Sequence, residues 1–455
     1  MAAGASPAVG RTPSRVCPQP ISIAANIPSP TSRFIATPLD STSAGRQRSA
    51  RAPEPVRTRT ISSPPVGVGR ERSRSEWGPR PIRVVLLKDV RPRPYGQPGG
   101  PARPVSPVGE PRLAARLDLR GAAAYRTAAP GRGTNRGKEP VGADRCCILV
   151  LNHNGRDLLA ECLPSVVRAA EAAPMPCAVV VVDNASTDDS IALVRDRWPS
   201  VLVEREPNRG LASFNRVLAR RDEEIALLLN NDVKLAPGAV APLVAALQAD
   251  PDALFSAPAC WTFDGSTYEG MRTRVRIRYG LVQGLCRVPG FEAEVDRPGL
   301  TASAGPVLAV DRRKFLAIGG YDELFFPGRI EDLDLGFRGW MAGWRGLYVP
   351  ESVAYHRGFA SFGPAFGRSG CDLLAIRNTL LFSWKNLSGR LLAGHLAWLA
   401  VRTVASVATG RTAFVRALGD ALSRLGSVLD ARRSAAAGAV GRVDRQNAFF
   451  REFRW

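Results

Sequence analysis

The apolar residues between positions 146 and 232 fall into short continuous runs that alternate with segments of helical periodicity. Runs of Val, Ile and Leu predict strands buried on both faces, because a half-exposed strand would alternate apolar with polar positions. The predicted strands are CCILVLNHN, CAVVVVDNAS, VLVERE and IALLLNND, and the predicted helices are DLLAECLPSVVRAAEAA, TDDSIALVRDRW and GLASFNRVLARR. This alternation predicts a doubly wound α/β domain, with a mostly parallel sheet and helices on both faces.

Polar side chains follow each predicted strand at the point where it ends. The four clusters are Asn152 to Asn154, Asp183 and Asn184, Glu204 to Asn208, and Asn230 to Asp232. Ligands of open α/β sheets bind beyond the carboxyl ends of the strands, so these clusters predict a binding site. The chain has no G-x-G-x-x-G after its first strand and no G-x-x-x-x-G-K-[ST], which disfavours a dinucleotide dehydrogenase and a P-loop NTPase.

Two aspartates in these clusters say most about the ligand. Asp183 follows four valines, and it either caps the next helix or accepts hydrogen bonds from a nucleotide base or ribose. Asp232 closes a strand of five apolar residues, where a carboxylate suits a divalent cation shared with substrate phosphates. The alternative is an Asx-turn, in which Asn230, Asn231 and Asp232 satisfy the amides of the next loop.

A second acidic region begins near residue 322. Its acids are Asp322, Glu323, Glu331, Asp332 and Asp334. Apolar residues at helical spacing follow them and predict an amphipathic helix from Glu331: Leu333, Phe337, Trp340 and Trp344. Acids in a first helical turn ordinarily complement the helix dipole, but the glycine-rich approach GGYDELFFPGR indicates a backbone close to a ligand.

The segment from Asn378 onwards has helical texture, with Arg interleaved among Leu, Val and Ala. Its most apolar stretch spans residues 391–408, but His395 and Arg402 interrupt it, so a surface or core helix is expected rather than a membrane span. Three arrangements remain open: contact with an anionic membrane, packing on the preceding domain, or a homodimer interface. The basic stretch RTRVRIR, residues 272–278, is either a contact for a lipid diphosphate or a solvated edge.

Composition separates the first 140 residues from the rest. They carry 24 Lys and Arg but 8 Asp and Glu, and hence most of the net charge of +21. Pro, Ser and Arg dominate, so we predict a disordered tail with one isolated strand, IRVVLLKDV. The tail is either an arm for anionic lipid or nucleic acid, or an extension without function. The lack of aromatic interleaving favours the second, and no nucleic-acid partner is expected.

The predicted organisation is therefore a basic tail over residues 1–140, an α/β domain over residues 145–377 and a helical segment over residues 378–455. No secretory signal is evident, since MAAGASPAVGR lacks an apolar stretch. The eight cysteines form no CxxC pair and lie mostly in apolar segments, which indicates reduced thiols in the cytoplasm.

Six motifs between Cys146 and about Phe382 resemble, in order and spacing, those of the inverting glycosyltransferases of family 2, which have the Rossmann-like GT-A fold. They are LVLNHNG, VVVDNASTDDS, PNRGLASFNRVL, LLLNNDV, GGYDELFFPGRIEDLDLGFR and YVPESVAYHRG. Each motif alone is weak, but six in the same order are specific. The pattern is most similar to the rhamnosyltransferase-like enzymes that build bacterial O-antigens and cell-wall polysaccharides.

The resemblance implies a role for each matching residue. It assigns the nucleotide-sugar donor to Asn152, Asn154, Asp183, Asn208, Gly210, Asn215 and Asn231. It assigns a divalent metal, Mn²⁺ or Mg²⁺, to Asp232, Asn230 and His356. Asn230 departs from the DxD motif that ends at Asp232, and an amide offers no charge to the metal, so weaker metal binding is expected.

The resemblance also implies a catalytic pair. Asp332 would be the general base, and Glu331 would orient the base or the acceptor, as would Asp334; dipole complementation is the alternative for these two. Arg338 or Arg345 would lie near the donor phosphates.

The reaction implied is inverting transfer of a sugar from dTDP-rhamnose or a UDP-sugar to a hydroxyl of a lipid-linked or growing surface glycan. A polyprenyl-diphosphate-linked acceptor, peripheral association with the inner face of the membrane and a possible homodimer would accompany it. The alternatives are galactosyl or N-acetylglucosaminyl transfer on the same fold, or a non-catalytic scaffold with a membrane- or nucleic-acid-binding tail.

Overall fold

The computed structural model describes residues 145–358, 360, 362–436 and 441–455, so the predicted tail and its isolated strand lie outside the described residues. The described chain forms a ten-stranded sheet and a two-stranded ribbon, together with helices.

The first half follows the predicted alternation of strand and helix. Its strands are β1 (Cys146–Asn152), β2 (Cys177–Asn184), β3 (Leu202–Glu206) and β4 (Ile225–Asn230). Its helices are α1 (Arg156–Glu171), α2 (Ser190–Arg197) and α3 (Ser213–Ala219). All pairings among these four strands are parallel, and β1 and β4 are almost wholly buried, as their apolar runs predict. The α/β class is confirmed.

The second half makes the sheet mixed rather than mostly parallel. Its strands are β5 (Val233–Leu235), β6 (Ala253–Thr262), β7 (Tyr268–Gly270), β10 (Gly299–Thr301), β11 (Val307–Asp311) and β12 (Arg345–His356). Its helices are α4 (Val240–Ala249), α5 (Arg312–Ala317) and α6 (Glu331–Met341). In the sheet the strands run in the order β10-β12-β6-β11-β4-β1-β2-β3, with β5 paired to β12 and β7 to β6. Strand β11 runs antiparallel between β4 and β6, whereas β12 is parallel to β6. The β6–β7 link is only a short turn, which permits antiparallel pairing alone.

The basic stretch RTRVRIR lies in a β-hairpin. Strands β8 (Arg274–Arg278) and β9 (Leu281–Leu285) pair antiparallel around Tyr279 and Gly280, whose φ angles are 50° and 75°. Two residues with positive φ match the twist of a tight hairpin turn. Arg274 donates to Glu294, and the guanidinium of Arg276 lies 3.6 Å from the ring centre of Trp455.

The C-terminal segment is helical, as predicted, and packs on the α/β domain. Its helices are α7 (Phe362–Asn386, kinked at Gly367), α8 (Gly389–Ala408), α9 (Thr412–Ser423), α10 (Leu425–Ala436) and α11 (Arg442–Glu452). Phe337 of α6 meets Phe382 of α7 and Phe449 of α11, with ring centres 5.5 and 5.1 Å apart. The boundary expected at residue 378 falls inside α7, because this helix belongs to the core under α6.

Candidate active site

The strand ends meet around the buried side chain of Asn152. Parallel register places Asn152 beside Asp183 of β2, and Leu151 beside Asn230 of β4. Asn152 donates through Nδ2 to Ser186 Oγ at 3.1 Å, and its Oδ1 accepts from Asn231 Nδ2 at 2.8 Å. The clusters after β1, β2 and β4 therefore form one polar network, as their positions in the sequence predict.

Asn154 shapes the loop that leads into α2. Its φ is 49°, in the left-handed region, and its Oδ1 accepts from the amides of Thr187 and Asp188 at 2.7 and 3.3 Å. Asn tolerates this backbone conformation better than most residues, because its side chain can bond locally.

The two carboxylate oxygens of Asp183 have different surroundings. Its Oδ1 accepts from the amide of Ser186 at 3.3 Å, the turn role that its position allows. Its Oδ2 is buried without a hydrogen-bond partner among the described residues; the nearest cation is Arg205 Nε, at 3.6 Å. A buried acceptor left unpaired costs about 1–3 kcal/mol, so a donor from a ligand would stabilise it. Asn184 Oδ1 beside it is likewise unpaired within the described chain.

Only part of the third cluster, Glu204 to Asn208, contacts the polar network around Asn152. Glu204 and Glu206 pair with arginines of the α3 region, Arg220 among them, and do not join the network. Asn208 does approach it: its Oδ1 accepts from Gly210 N at 3.1 Å, and Asn184 Nδ2 donates to Gly210 O at 3.1 Å. Gly210 has φ 58°, and a Cβ there would lie 3.0 Å from Pro327 O, so this loop contacts the approach to α6.

Asn215 differs from its predicted role. Its Oδ1 accepts from Tyr321 N at 2.9 Å and its Nδ2 donates to Tyr321 O at 2.8 Å. The turn is so close that a Cβ on Gly320 would lie 2.1 Å from Asn215 Oδ1. Asn215 therefore holds this turn, and its amide is not left for a nucleotide.

Asp232 and His356 face each other at the end of β4. Strand β12 pairs with β5 in a register that sets His356 against Val233, next to Asp232. His356 Nε2 lies 3.6 Å from Asp232 Oδ1, too far for a hydrogen bond, and this buried Oδ1 has no hydrogen-bond partner in the described part of the chain. His356 Nδ1 is 2.6 Å from Glu269 Oε2 of β7.

This donor set fits a divalent cation. A histidine that gives one ring nitrogen to a carboxylate and turns the other toward a buried, unpaired carboxylate oxygen has the arrangement found at metal ligands. The described residues hold no group of three or more His, Cys, Asp and Glu side chains that could close a site, so donor phosphates would have to complete the coordination. Asn230 is the last residue of β4, and its backbone N–H donates to Pro306 O. Its side chain makes no hydrogen bond to the described residues.

Without a cation, the two carboxylates favour a proton on the imidazole. Burial acts to lower the pKa of His356, but the negative charges of Asp232 and Glu269, with the hydrogen bond to Glu269, outweigh it and raise this pKa to about 9. Because a metal binds the neutral ring, metal binding here would release a proton.

Glu331 and Asp332 open α6 after a backbone with two left-handed residues. Arg329 and Ile330 have φ angles of 80° and 72°, which non-glycine residues adopt only where the surroundings enforce them. Asp332 Oδ1 accepts from Leu333 N at 2.8 Å, and Glu331 Oε2 is buried without a hydrogen-bond partner in the described chain. Burial raises the pKa of both carboxyls, and the charge of Asp332 raises that of Glu331 further. A proton acceptor of raised pKa thus lies beside the strand-end loops.

Residues 147–314 match the family model described as Glycosyl transferase family 2. The chain carries a family 2 glycosyltransferase domain. Over 212 residues it is 29% identical to an N-acetylglucosaminyl-diphospho-decaprenol L-rhamnosyltransferase of Mycobacterium tuberculosis, covering 41% of this chain and 69% of that one. These similarities support the assignment of the protein as a glycosyltransferase.

The chain is also similar to solved glycosyltransferases, at low identity and low TM-score. S. aureus TarS 1–349 in complex with UDP-GlcNAc is 15% identical, with 68% of this chain and 90% of that chain covered and a TM-score of 0.41. The mannosyltransferase PcManGT from Pyrobaculum calidifontis, in complex with GDP-Man and Mn²⁺, is 19% identical, with 71% and 93% covered and a TM-score of 0.38.

In this glycosyltransferase, α7 clamps the loop that precedes Glu331. Asn378 is fully buried, and its Nδ2 lies 2.7–2.8 Å from the carbonyl oxygens of Phe325, Gly328 and Arg329. Arg377 Nη2 donates to Phe326 O at 2.7 Å. These contacts hold the left-handed backbone in place. A helix assigned from sequence to a separate segment thus supports the predicted base.

Asp334 anchors α6 rather than serving a substrate. It is fully buried and accepts from Lys385 Nζ and Arg338 Nε at 2.6–2.9 Å. Burial acts to raise the pKa of Asp334, but the charges of Arg338 and Lys385 lower it to about 2.

Arg338 and Arg345, predicted to lie near the phosphates, both have their guanidinium groups bound to protein acceptors. Arg338 also donates to the carbonyls of Ile318 and Gly320, and Arg345 makes a two-point pair with Asp250 at 2.8 and 3.0 Å.

Sequence reasoning did not find Glu269, Arg377 or Asn378. Glu269 is a lone acid in a three-residue strand, and the other two lie within a helix with no motif around them. Only the pairing of β7, β6 and β12 brings Glu269 to His356.

Proposed function

We propose that this glycosyltransferase transfers a sugar, with inversion, from dTDP-rhamnose or a UDP-sugar to a hydroxyl of a polyprenyl-diphosphate-linked glycan. The observation that carries the proposal is that three buried acceptors without a hydrogen-bond partner among the described residues, on Asp183, Asp232 and Glu331, belong to loops that a series of contacts links. They match the needs of a nucleoside, a metal-bound diphosphate and an acceptor hydroxyl. The rhamnosyl donor and the lipid-linked acceptor come from the name of the mycobacterial relative.

Asp183 would recognise the nucleoside. Its free Oδ2 can accept from a base N–H or a ribose hydroxyl, while Oδ1 stays on Ser186 and keeps the carboxylate oriented. Uracil and thymine carry the same N3–H, so this contact accommodates either nucleotide, and galactosyl or N-acetylglucosaminyl transfer from a UDP-sugar is the second candidate. Asn152 and Asn231 hold the loop beneath this corner.

Asp232 and His356 would hold Mn²⁺ or Mg²⁺, with Asn230 as a weaker neighbour. The cation would neutralise the charge that develops on the leaving diphosphate. Glu269 would keep the proton of His356 on Nδ1, which leaves Nε2 as the ligand atom.

Asp332 would accept the proton of the attacking hydroxyl. A base with a raised pKa takes a proton more readily than an ordinary aspartate, which favours attack near neutral pH. Glu331, whose pKa is raised by burial and by the charge of Asp332, would carry a proton and donate a hydrogen bond to the acceptor or to Asp332. Inversion requires only this base on one face and a departing diphosphate on the other.

We place the reaction in the cytoplasm at the inner face of the cell membrane, because a polyprenyl-linked acceptor resides there.

A donor screen tests the proposal. Purified protein with Mn²⁺ is titrated with dTDP-rhamnose, UDP-galactose, UDP-GlcNAc or GDP-mannose, and the unfolding midpoint is followed, because a bound ligand raises it. Each donor is then assayed for transfer to GlcNAc-diphosphoryl-polyprenol. We expect the largest shift and a product with dTDP-rhamnose. A shift and product only with a UDP-sugar support the second candidate, and no shift or product with any donor contradicts the proposal.

A further inference from the structure

Helix α8 has a mixed inner face and an apolar outer face. The inward side chains, buried or partly buried, are Leu391, Leu392, His395, Leu399, Arg402, Thr403 and Ser406. The large outward side chains, between 43% and 70% exposed, are Leu396, Trp398, Val401, Val404 and Val407. A helix that covers a soluble domain presents polar side chains to water, so the outer face of α8 is suited to an apolar surrounding.

Polar contacts fix this orientation. His395 Nδ1 donates to Gly280 O at 2.6 Å, and Arg402 Nε donates to Tyr279 O at 2.8 Å, so both side chains hold the turn of the β8–β9 hairpin. The Trp398 ring packs edge-on against Tyr279, with ring centres 5.3 Å apart. Turning the helix to bury its valines would break both hydrogen bonds.

The segment that carries this face is basic. Residues 389–419, which cover α8 and most of α9, contain four arginines and no acid: Arg390, Arg402, Arg411 and Arg416. The next residue, Asp420 of α9, is an acid that pairs with Arg377 of α7. An anionic surface complements this distribution. Two copies joined face to face would bring the arginines together at a desolvated interface, which is unfavourable. The charge therefore favours an anionic lipid surface over a second copy.

The length and composition of α8 also suit a bilayer. Within the described residues it is the one helix long and apolar enough to cross a membrane, with 20 residues and a mean hydropathy of 1.5. Crossing would carry Arg402 and His395 into the hydrocarbon and break their contacts with the hairpin. A helix with one apolar face, polar contacts on the other and flanking arginines lies instead in the interface plane.

We propose that the outward face of α8 binds the surface of an anionic lipid bilayer. The inference rests on the polarity and charge of α8 and does not depend on the identity of donor or acceptor. If the proposed function holds as well, the surface brings the domain to the membrane that contains a polyprenyl-linked acceptor.

Vesicle binding of the full-length chain tests the proposal. Binding is measured by co-sedimentation with vesicles of phosphatidylcholine and phosphatidylglycerol, and Val401→Glu with Val404→Glu places two charges in the lipid face. We expect the double variant to bind at least about tenfold more weakly, because each buried carboxylate is unfavourable in an apolar interface. The basic N-terminal residues are the same in both proteins, so they cannot produce the difference.

The matched control is Leu202→Glu, which replaces a 50% exposed apolar side chain on the edge strand β3 and should bind vesicles like wild type. Equal unfolding midpoints and equal donor binding exclude misfolding. Brominated lipid should quench the fluorescence of Trp398 if the outward face of α8 contacts the bilayer. The proposal is supported if most of the quenching seen in wild type is lost in Trp398→Phe.

Three results would overturn the inference. Equal vesicle binding by the double variant and wild type would assign binding to another surface. A dimer found by light scattering without lipid, and lost in the double variant, would make this face a subunit interface. Resistance to alkaline carbonate extraction from membranes would show a span rather than a surface helix. None of these outcomes bears on the donor screen, so the two proposals fail independently.

Discussion

At the scale of single residues, the site depends on buried oxygens that the fold leaves unpaired. Asp183 and Asp232 share this property: each ends a parallel strand, and each has one oxygen without a hydrogen-bond partner in the described chain. The sequence predicts both residues, because a long apolar run that ends in a carboxylate is unusual unless the carboxylate has a ligand. Glu269 could not be predicted, since its importance comes only from its neighbour across the sheet.

Asp183→Asn should weaken donor binding. The amide keeps an oxygen for Ser186 but offers an NH₂ where the donor needs an acceptor, and losing a hydrogen bond to a charged group costs about 1.5–3 kcal/mol, or roughly 10- to 100-fold in donor KM. Steady-state kinetics against donor concentration measure this. Glu204→Gln is the control, because this acid lies in the neighbouring strand β3 and pairs with Arg220; an equal KM change in both variants would contradict the role of Asp183.

Glu269→Ala should weaken the metal site without touching the donor contacts. Loss of the carboxylate frees the His356 ring to rotate or change tautomer, and loss of such partners typically lowers metal affinity about 10- to 100-fold. Electron paramagnetic resonance of free Mn²⁺, in the presence of UDP, measures the affinity directly. Glu161→Ala removes a surface carboxylate that pairs with Arg357 and should leave the affinity unchanged; unaltered Mn²⁺ binding in Glu269→Ala would refute the assignment.

At the scale of elements, α6 and α7 act together although the sequence assigns them to different segments. Helix α6 opens with Glu331 and Asp332, and α7 holds the loop before it through Asn378 and the helix itself through Lys385. The amphipathic pattern predicts α6 as a helix. It cannot show that a residue about fifty positions later fixes its first turn, because that contact exists only in the folded core.

Asn378→Ala should lower kcat while leaving donor KM nearly unchanged. Without the amide, the loop at Gly328 and Arg329 can relax and displace Asp332, and a small misplacement of a catalytic group can cost about 100-fold in rate. Thr379→Ala, next in the same helix, removes only a bond to the carbonyl of Ala375 and serves as the control. Proportional losses in stability and donor binding, with kcat intact, would show a purely structural role.

Asp334→Asn should destabilise the protein at neutral pH by roughly 3 kcal/mol, because it removes the buried carboxylate shared by Arg338 and Lys385 and leaves Lys385 paired with Asp322 alone among the described residues. The native pKa of Asp334, about 2, lies below the ordinary value of 3.8. Its stabilisation is therefore present above about pH 4 and is lost as the pH falls toward 2. Urea unfolding at pH 7 and pH 3 should show that the loss in free energy of unfolding, relative to wild type, is smaller at the lower pH.

Asp430→Asn is the control. This acid is in an exposed pair with Arg433, so its replacement should change stability by under about 1 kcal/mol at either pH. A deficit that does not depend on pH would rule out the charge pair as its source.

At the scale of the whole molecule, the order of motifs predicts the α/β domain, its catalytic edge and its family. The parallel half follows from continuous apolar runs, and the match to family 2 begins there, at residue 147. The mixed second half and the docking of the C-terminal helices depend on pairings between distant segments, which local patterns do not encode. The same holds for α8. Its apolar composition is evident from the sequence, but the contacts of His395 and Arg402 with the β8–β9 turn determine which face of the helix points outward.

The most direct test of the central claim is the rate of sugar transfer by wild type and Asp332→Asn at saturating dTDP-rhamnose, with donor affinity measured in parallel. If Asp332 is the base at a site that holds a nucleotide sugar, the variant binds donor normally, and its rate falls about 10²- to 10⁴-fold. Transfer at the wild-type rate by Asp332→Asn, with donor binding unchanged, would contradict the account.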